Sequence, residues 1–224
     1  MRRVPEPELM TDPEQAAAYA GADFSEPHQA FIAHFQHLFP EFCAGCVLDL
    51  GCGAADVTIR FARTYPEARI DGVEGAAAML ALGRRAVARA ELNNRIALIE
   101  SRLPDASFDG RNYDAIICNS LLHHLADPHV LWQTVRMAAR RGAPLLVMDL
   151  LRPQSPRLAR ALVKLHAADA PPILQRDFYN SLRAAYRPDE VAAQLQMTGF
   201  KQFKLSVVSD RHWIVWGKVE ENEL

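Results

Sequence analysis

Residues 47–56 read V-L-D-L-G-C-G-A-A-D, which sets one carboxylate, Asp49, inside an apolar run and follows it at once with two glycines. Glycine at 51 and 53 permits backbone angles and a close ligand approach that side chains would block. A helix starting near Ala55 would then aim its free amides at whatever lies in the turn. Asp49, at the end of the strand, can accept hydrogen bonds from that turn or from a cationic group. A second acid follows one strand later, Glu74 in D-G-V-E-G. Its spacing from the glycines matches the acid that accepts both ribose hydroxyls in nucleotide-binding folds. A plainer role for Glu74 is to cap the helix beginning at Gly75.

The ligand can be narrowed by charge. A dinucleotide fingerprint needs G-x-G-x-x-G, and here the sixth position is Asp56, a negative charge where pyrophosphate would lie. A ligand without phosphate that carries an ammonium and a sulfonium tolerates acids beside the turn, which points to S-adenosylmethionine.

These residues must be held by strands, and the pattern supplies them. From residue 46 onward V-L-D-L-G, A-R-I-D-G-V-E, R-I-A-L-I-E, Y-D-A-I-I-C-N and A-P-L-L-V-M-D-L read as strands, with helical patterns at 55–65, 76–91 and 128–141. Short apolar runs alternating with helices predict an α/β fold whose parallel sheet is covered on both faces. Near the C-terminus R-P-D-E-V-A-A-Q-L-Q-M-T-G-F predicts a helix from Pro188 to just before Gly199, followed by a hairpin of F-K-L-S-V-V-S and R-H-W-I-V-W-G-K about two residues apart. Trp213 and Trp216 should point to opposite faces of its second strand. Phe31, Ile32, Phe35, Leu38 and Phe39 share one helix face, so residues 1–45 read as a helical cap. The long connection 152–187 reads as a helical lid over the strand ends.

Composition bounds the rest. With 224 residues, half of them hydrophobic, 23% charged and a net charge of -2, the chain fits one soluble domain without the basic excess of a nucleic-acid binder. The arginines at 84, 85 and 89, and at 136, 140 and 141, read as solvated helix faces. The N-terminus lacks an apolar h-region and no run is long enough to span a bilayer, so a cytoplasmic protein without membrane or nucleic-acid partners is expected. Cys43, Cys46, Cys52 and Cys118 are expected to be free thiols, because the single C-x-x-C has no further ligands at zinc spacing.

In order, V-L-D-L-G-C-G-A-A-D, D-G-V-E-G-A-A-A-M-L, Y-D-A-I-I-C-N-S-L-L-H-H-L-A-D-P and G-A-P-L-L-V-M-D-L resemble the successive motifs of class I S-adenosylmethionine-dependent methyltransferases, over about residues 19–218. The resemblance implies a doubly wound, mostly parallel, seven-stranded Rossmann-like sheet with an antiparallel last strand. It implies that Asp49, Gly51, Cys52 and Gly53 hold the methionine end, that Glu74 and Gly75 serve the ribose, that Met79 packs on the adenine, and that Asn119 and Ser120 line the sulfonium side. The family's third glycine is Ala55 here. The acid that bonds the adenine amino group after the third strand has no fixed counterpart among Glu100, Ser101 and Arg102.

Methyl transfer is an in-line displacement, so the protein chiefly aligns the acceptor and, where needed, removes its proton. Of the adjacent histidines, the resemblance assigns His123 to the acceptor side and His124 to a structural hydrogen bond. Tyr19, in the cap, and Asp149, closing the fifth strand, complete the candidate catalytic group. A related quinone-pathway branch carries Glu-His at the two positions and is thought to bind a divalent cation there; the acid is absent here, and no metal is expected. Arg176, Tyr179, Arg183 and Tyr186 would form an anion clamp or a solvated helix face. The acceptor is read as a small molecule. The alternatives are a non-catalytic S-adenosylmethionine-binding protein or a nucleic-acid methyltransferase, the latter disfavoured by C-N-S-L where an N-P-P-Y-like motif would stand.

Overall fold

The computed structural model describes residues 1–6, 10–105, 108 and 111–220. Seven strands make one sheet: β1 (Ala44–Leu50), β2 (Glu67–Glu74), β3 (Ile96–Glu100), β4 (Ala115–Asn119), β5 (Pro144–Leu150), β6 (Lys204–Val207) and β7 (His212–Lys218). Their order is β3-β2-β1-β4-β5-β7-β6. The first five are mutually parallel, and β7 runs antiparallel to both β5 and β6. The strand order reverses between β1 and β4, so the carboxyl ends of these strands flank the crevice where open α/β sheets bind ligands.

Helices cover the sheet as the sequence pattern predicts: α1 (Pro13–Gly21), α2 (Ser25–Leu38), α3 (Asp56–Thr64), α4 (Ala77–Arg89), α5 (His129–Ala138), α6 (Pro156–His166), α7 (Pro172–Ala184) and α8 (Pro188–Met197). The connection read as 152–187 carries α6 and α7. The β6–β7 hairpin forms, with a longer connection, 208–211, than the two residues expected. Trp213 is fully buried, and Trp216 is partly buried on the opposite face.

Two apolar layers hold the sheet. On one face Leu48, Leu50, Ile116 and Cys118 meet Trp132, Val135 and Trp213. On the other, Val47, Ile70, Ile117 and Leu146 meet α2 and α3 through a cluster in which the Phe35 and Phe61 rings lie edge to face, 4.9 Å apart. Burial of such ring pairs fixes α2 on α3. That fixes the first turn of α3 as well, where His28 Nδ1 of α2 lies 2.6 Å from Asp56 Oδ2.

The β1–α3 turn is built as the glycines require. Gly51 and Gly53 have φ of 74° and 54°, and the amides of Gly51 and Cys52 both donate to the Val73 carbonyl, at 2.9 and 3.0 Å. A Cβ on Gly51 would stand 2.9 Å from Leu121. Gly51→Ala therefore combines a left-handed backbone with a clash, and is expected to lower the thermal midpoint by about 5 °C or more, measured by circular dichroism. Ala55, at the position of the family's third glycine, has φ 68°, so this residue adopts the glycine conformation at a cost of roughly 1 kcal/mol.

Candidate active site

Four polar side chains stand at the carboxyl edge of the sheet: Asp49 on β1, Glu74 on β2, Asn119 on β4 and Asp149 on β5. Asp49 is 1% exposed, and its Oδ2 accepts the Thr58 hydroxyl of α3 at 2.6 Å. Burial pushes its carboxyl up to about 7, the Thr58 hydrogen bond opposes this, and the charge of Glu74 adds to it. Glu74 accepts the Gly53 amide at 3.0 Å and the Ala76 amide at 2.7 Å, so one carboxylate ties the β1–α3 turn to the start of α4. Burial raises its pKa as well, against those backbone hydrogen bonds.

Asp56, which argues against pyrophosphate in the sequence, is drawn aside to His28 and to Arg60, whose Nε donates to Oδ2 at 2.7 Å; the His28 hydrogen bond leads in holding its carboxyl down to about 2. The crevice thus carries two desolvated acids, Asp49 and Glu74, with no cation hydrogen-bonded to either among the described residues. Asn119 Oδ1 is buried and has no hydrogen-bond partner. Unpaired buried acceptors of this kind are costly and mark a place where a donor or cation binds.

The remaining residues predicted for this end fall around the same crevice. Met79 is 5% exposed and lies under Gly53, its Cε 3.3 Å from where a Cβ would stand. Gly75 follows Glu74 into α4. Ser120 has φ 57° and donates its amide to the Met148 carbonyl at 2.8 Å. Cys52 contributes its amide to the turn, while burial pushes its thiol well above the usual range, so it is no nucleophile. Ser101, one of the three residues after the third strand, donates its hydroxyl to Asp105. Cys43 and Cys46 are exposed free thiols.

Tyr19 sits on α1, which packs over α4 with Ala16, Met79 and Met10. Burial pushes its phenol up to about 12, and Glu74, Asp56 and Asp149 add to the rise, so Tyr19 is a neutral hydrogen-bond donor facing the acids of the crevice. Gln15 Nε2 donates to Asp177 Oδ2 at 2.7 Å, joining α1 to α7 above the strand ends.

The second half of the site is centred on the histidine pair. His123 is 3% exposed, its Nδ1 is 2.5 Å from Asp149 Oδ1, and its amide donates to Asp149 Oδ2 at 3.1 Å. Asp149 therefore grips both the ring and the backbone of His123, and also accepts the Leu150 amide at 2.6 Å. Burial opposes the imidazolium, but the Asp149 charge and hydrogen bond, with Glu6, outweigh it and raise the His123 pKa; the same pairing lowers that of Asp149 against its burial. This fixes Nδ1 toward Asp149 and turns Nε2 outward.

Here the structure supplies what the sequence reading finds absent. Glu6, in the N-terminal segment, brings its Oε1 to 3.5 Å from His123 Nε2 and 3.5 Å from His124 Nδ1. His124 faces this acid, so its part is not confined to the structural hydrogen bond expected of it. Arg3 holds the segment down, its guanidinium donating to the Ala184 carbonyl at 2.5 Å and the His123 carbonyl at 3.0 Å while lying 4.1 Å over the Tyr186 ring. No local pattern in the sequence marks Arg3 or Glu6, or His28, as site residues. Of the four residues read as an anion clamp or a solvated helix face, Arg183 lies over the Tyr179 ring, as Arg160 does, while Arg176 pairs with Asp177 and Tyr186 is engaged by Arg3.

Residues 47–144 match the family model described as a methyltransferase domain. Among curated relatives, a demethylmenaquinone methyltransferase of Porphyromonas gingivalis is 26% identical over 168 residues, covering 74% of this chain and 68% of the relative. A ubiquinone/menaquinone biosynthesis C-methyltransferase, UbiE, of Syntrophotalea carbinolica is 27% identical over 150 residues, covering 67% of this chain and 62% of the relative. The chain thus spans about two thirds of the length of these relatives. A solved SAM-dependent methyltransferase of Aquifex aeolicus superposes with a TM-score of 0.65, covering 92% of this chain and 98% of its own, at 15% identity, a likeness that concerns the fold.

Proposed function

The chain is a class I S-adenosylmethionine-dependent methyltransferase, and from that premise we propose that it transfers the methyl group to a small-molecule acceptor lodged between the β4–β5 edge and the helices α1 and α7. The observation that carries this reading is the pair of desolvated acids, Asp49 and Glu74, beside a two-glycine turn and the unpartnered Asn119 Oδ1. A ligand with an ammonium, a sulfonium and a ribose diol fits that donor and acceptor set, whereas a phosphate would meet like charge.

When bound, the cofactor supplies a methyl group already activated by positive sulfur. The chain's own task is alignment and proton handling. Glu74 would take the ribose hydroxyls while keeping the amides of Gly53 and Ala76; Asp49 would serve the methionine end beside the turn, and Met79 would floor the adenine. On the acceptor side Asp149 orients His123, whose Nε2 is directed toward an acceptor proton, and Tyr19 donates its phenol hydrogen across the crevice. The quinone-pathway names of the relatives make hydroxylated aromatic rings the first acceptors to examine. No helix among the described residues is long and apolar enough to cross a membrane.

Because Asp49 is protonated below about 7, cofactor affinity should increase as pH rises through that value and then level off, and Asp49→Asn should flatten the profile and weaken binding. Calorimetric titrations from pH 5.5 to 8.5 check this, and a flat wild-type profile would remove the charge of Asp49 from cofactor binding. The reaction itself is tested by incubating the protein with methyl-labelled S-adenosylmethionine and a metabolite extract, then identifying the labelled product by mass spectrometry. Label in a small molecule is the expected result; cofactor binding without any labelled product would leave a binding protein instead.

A further inference from the structure

We propose that Glu6, His123 and His124 form a divalent-cation site, of the two-imidazole, one-carboxylate type, on the acceptor side of the crevice. Glu6 Oε1 is buried without a hydrogen-bond partner, although two imidazole nitrogens stand near it. Both distances, 3.5 Å to His123 Nε2 and 3.5 Å to His124 Nδ1, are too long for hydrogen bonds. They suit a shared cation: bonds of about 2.1 Å at tetrahedral angles place neighbouring ligand atoms about 3.4 Å apart. The three ligand atoms all lie within 4.8 Å of one another.

The surroundings are arranged as a metal site needs. Asp149 holds His123 Nδ1 at 2.5 Å, the carboxylate–histidine support that presents the opposite nitrogen, as a lone pair, to a metal. A Ser181 hydrogen bond orients the Glu6 carboxyl. The segment bearing Glu6 is fastened by Arg3, and by the Val4 amide donating to the Arg183 carbonyl at 3.0 Å. Two nitrogens and one oxygen suit zinc, manganese, cobalt or ferrous iron better than magnesium or calcium. Three protein ligands leave a position open. If the proposed methyltransferase reading holds, on which this one point rests, that position would take an oxygen of the acceptor and the cation would lower its pKa, replacing direct proton removal by His123 Nε2, which is then a ligand; this role is open to hydroxylated acceptors and closed to thioethers or alkyl carbons.

The test uses the full chain, treated with chelator and dialysed, and titrated with cobalt(II) while visible absorption is recorded, with zinc(II) calorimetry alongside. Neither cofactor nor acceptor is present, so its outcome is independent of the methyl-transfer assay. One equivalent of cobalt with d–d bands of a four- or five-coordinate ion is expected. Glu6→Gln and His124→Ala should each weaken binding about tenfold or more. His166→Ala, at the exposed His166–Asp210 pair on α6, should leave it unchanged. Glu6→Gln keeps the shape of the side chain, and an unaltered thermal midpoint verifies that it folds. Absence of a saturating equivalent, or equal affinity in the Glu6→Gln and wild-type proteins, would overturn the site.

Discussion

Glu74→Ala is expected to weaken S-adenosylmethionine binding by about a hundred-fold, from loss of two charged hydrogen bonds worth about 1.5 kcal/mol or more each. In the free protein Glu74 already accepts two amides, from Gly53 and Ala76, and each carboxylate oxygen retains a second lone pair for a ribose hydroxyl. Alanine removes the ribose acceptors and also releases the turn that positions Gly51 and Gly53. Glu74→Gln separates these effects. Its carbonyl oxygen can still accept one amide and one hydroxyl, while its NH2 cannot replace the second oxygen, so an intermediate loss is expected. Calorimetric titration measures both variants, with thermal melts run alongside. Unchanged affinity in Glu74→Ala would reduce Glu74 to a cap of α4.

His123→Ala is expected to slow methyl transfer by about a hundred-fold or more while changing cofactor affinity by less than about threefold, because the proposed function sets His123 on the acceptor side, away from the adenosyl group. Its buried pairing with Asp149 gives a companion variant. Asp149→Asn keeps the size of the partner but offers an amide to Nδ1, loosening the ring and disturbing the tautomer that turns Nε2 outward. It should lower turnover by a similar order and shift the pH–rate profile, which a purely structural role would not do. Steady-state rates with a methyl-labelled cofactor decide the matter, and a wild-type rate in His123→Ala would strike it from the catalytic group.

The sheet was legible because its signals are local. Each buried strand is a short apolar run, each βα turn carries its glycine or acid, and Pro188 and Gly199 bracket α8. The clustering of Asp49, Gly51, Gly53 and Glu74 at one crevice was legible for the same reason, since they lie in two adjacent motifs at consecutive strand ends. The surroundings of His123 were not. Glu6 and Arg3 reach His123 from the far N-terminus, and an extended segment has no periodicity to announce a contact of that sequence separation. Nothing local marks His28, because its partner, Asp56, belongs to another element brought alongside by the Phe35–Phe61 packing. The choice between an anion clamp and a solvated face for Arg176, Tyr179, Arg183 and Tyr186 was open for a similar reason, because partners distant in sequence join them, Arg3 at Tyr186 and Arg160 at Tyr179.

The central claim is that Asp49 and Glu74 frame the S-adenosyl group at the ends of β1 and β2. A crystal structure with S-adenosylhomocysteine tests it most directly. The account predicts both ribose hydroxyls on the Glu74 carboxylate, the adenine against Met79 and the amino acid end beside Gly51. An adenosyl group bound elsewhere, with Glu74 bonded only to the Gly53 and Ala76 amides, would contradict it.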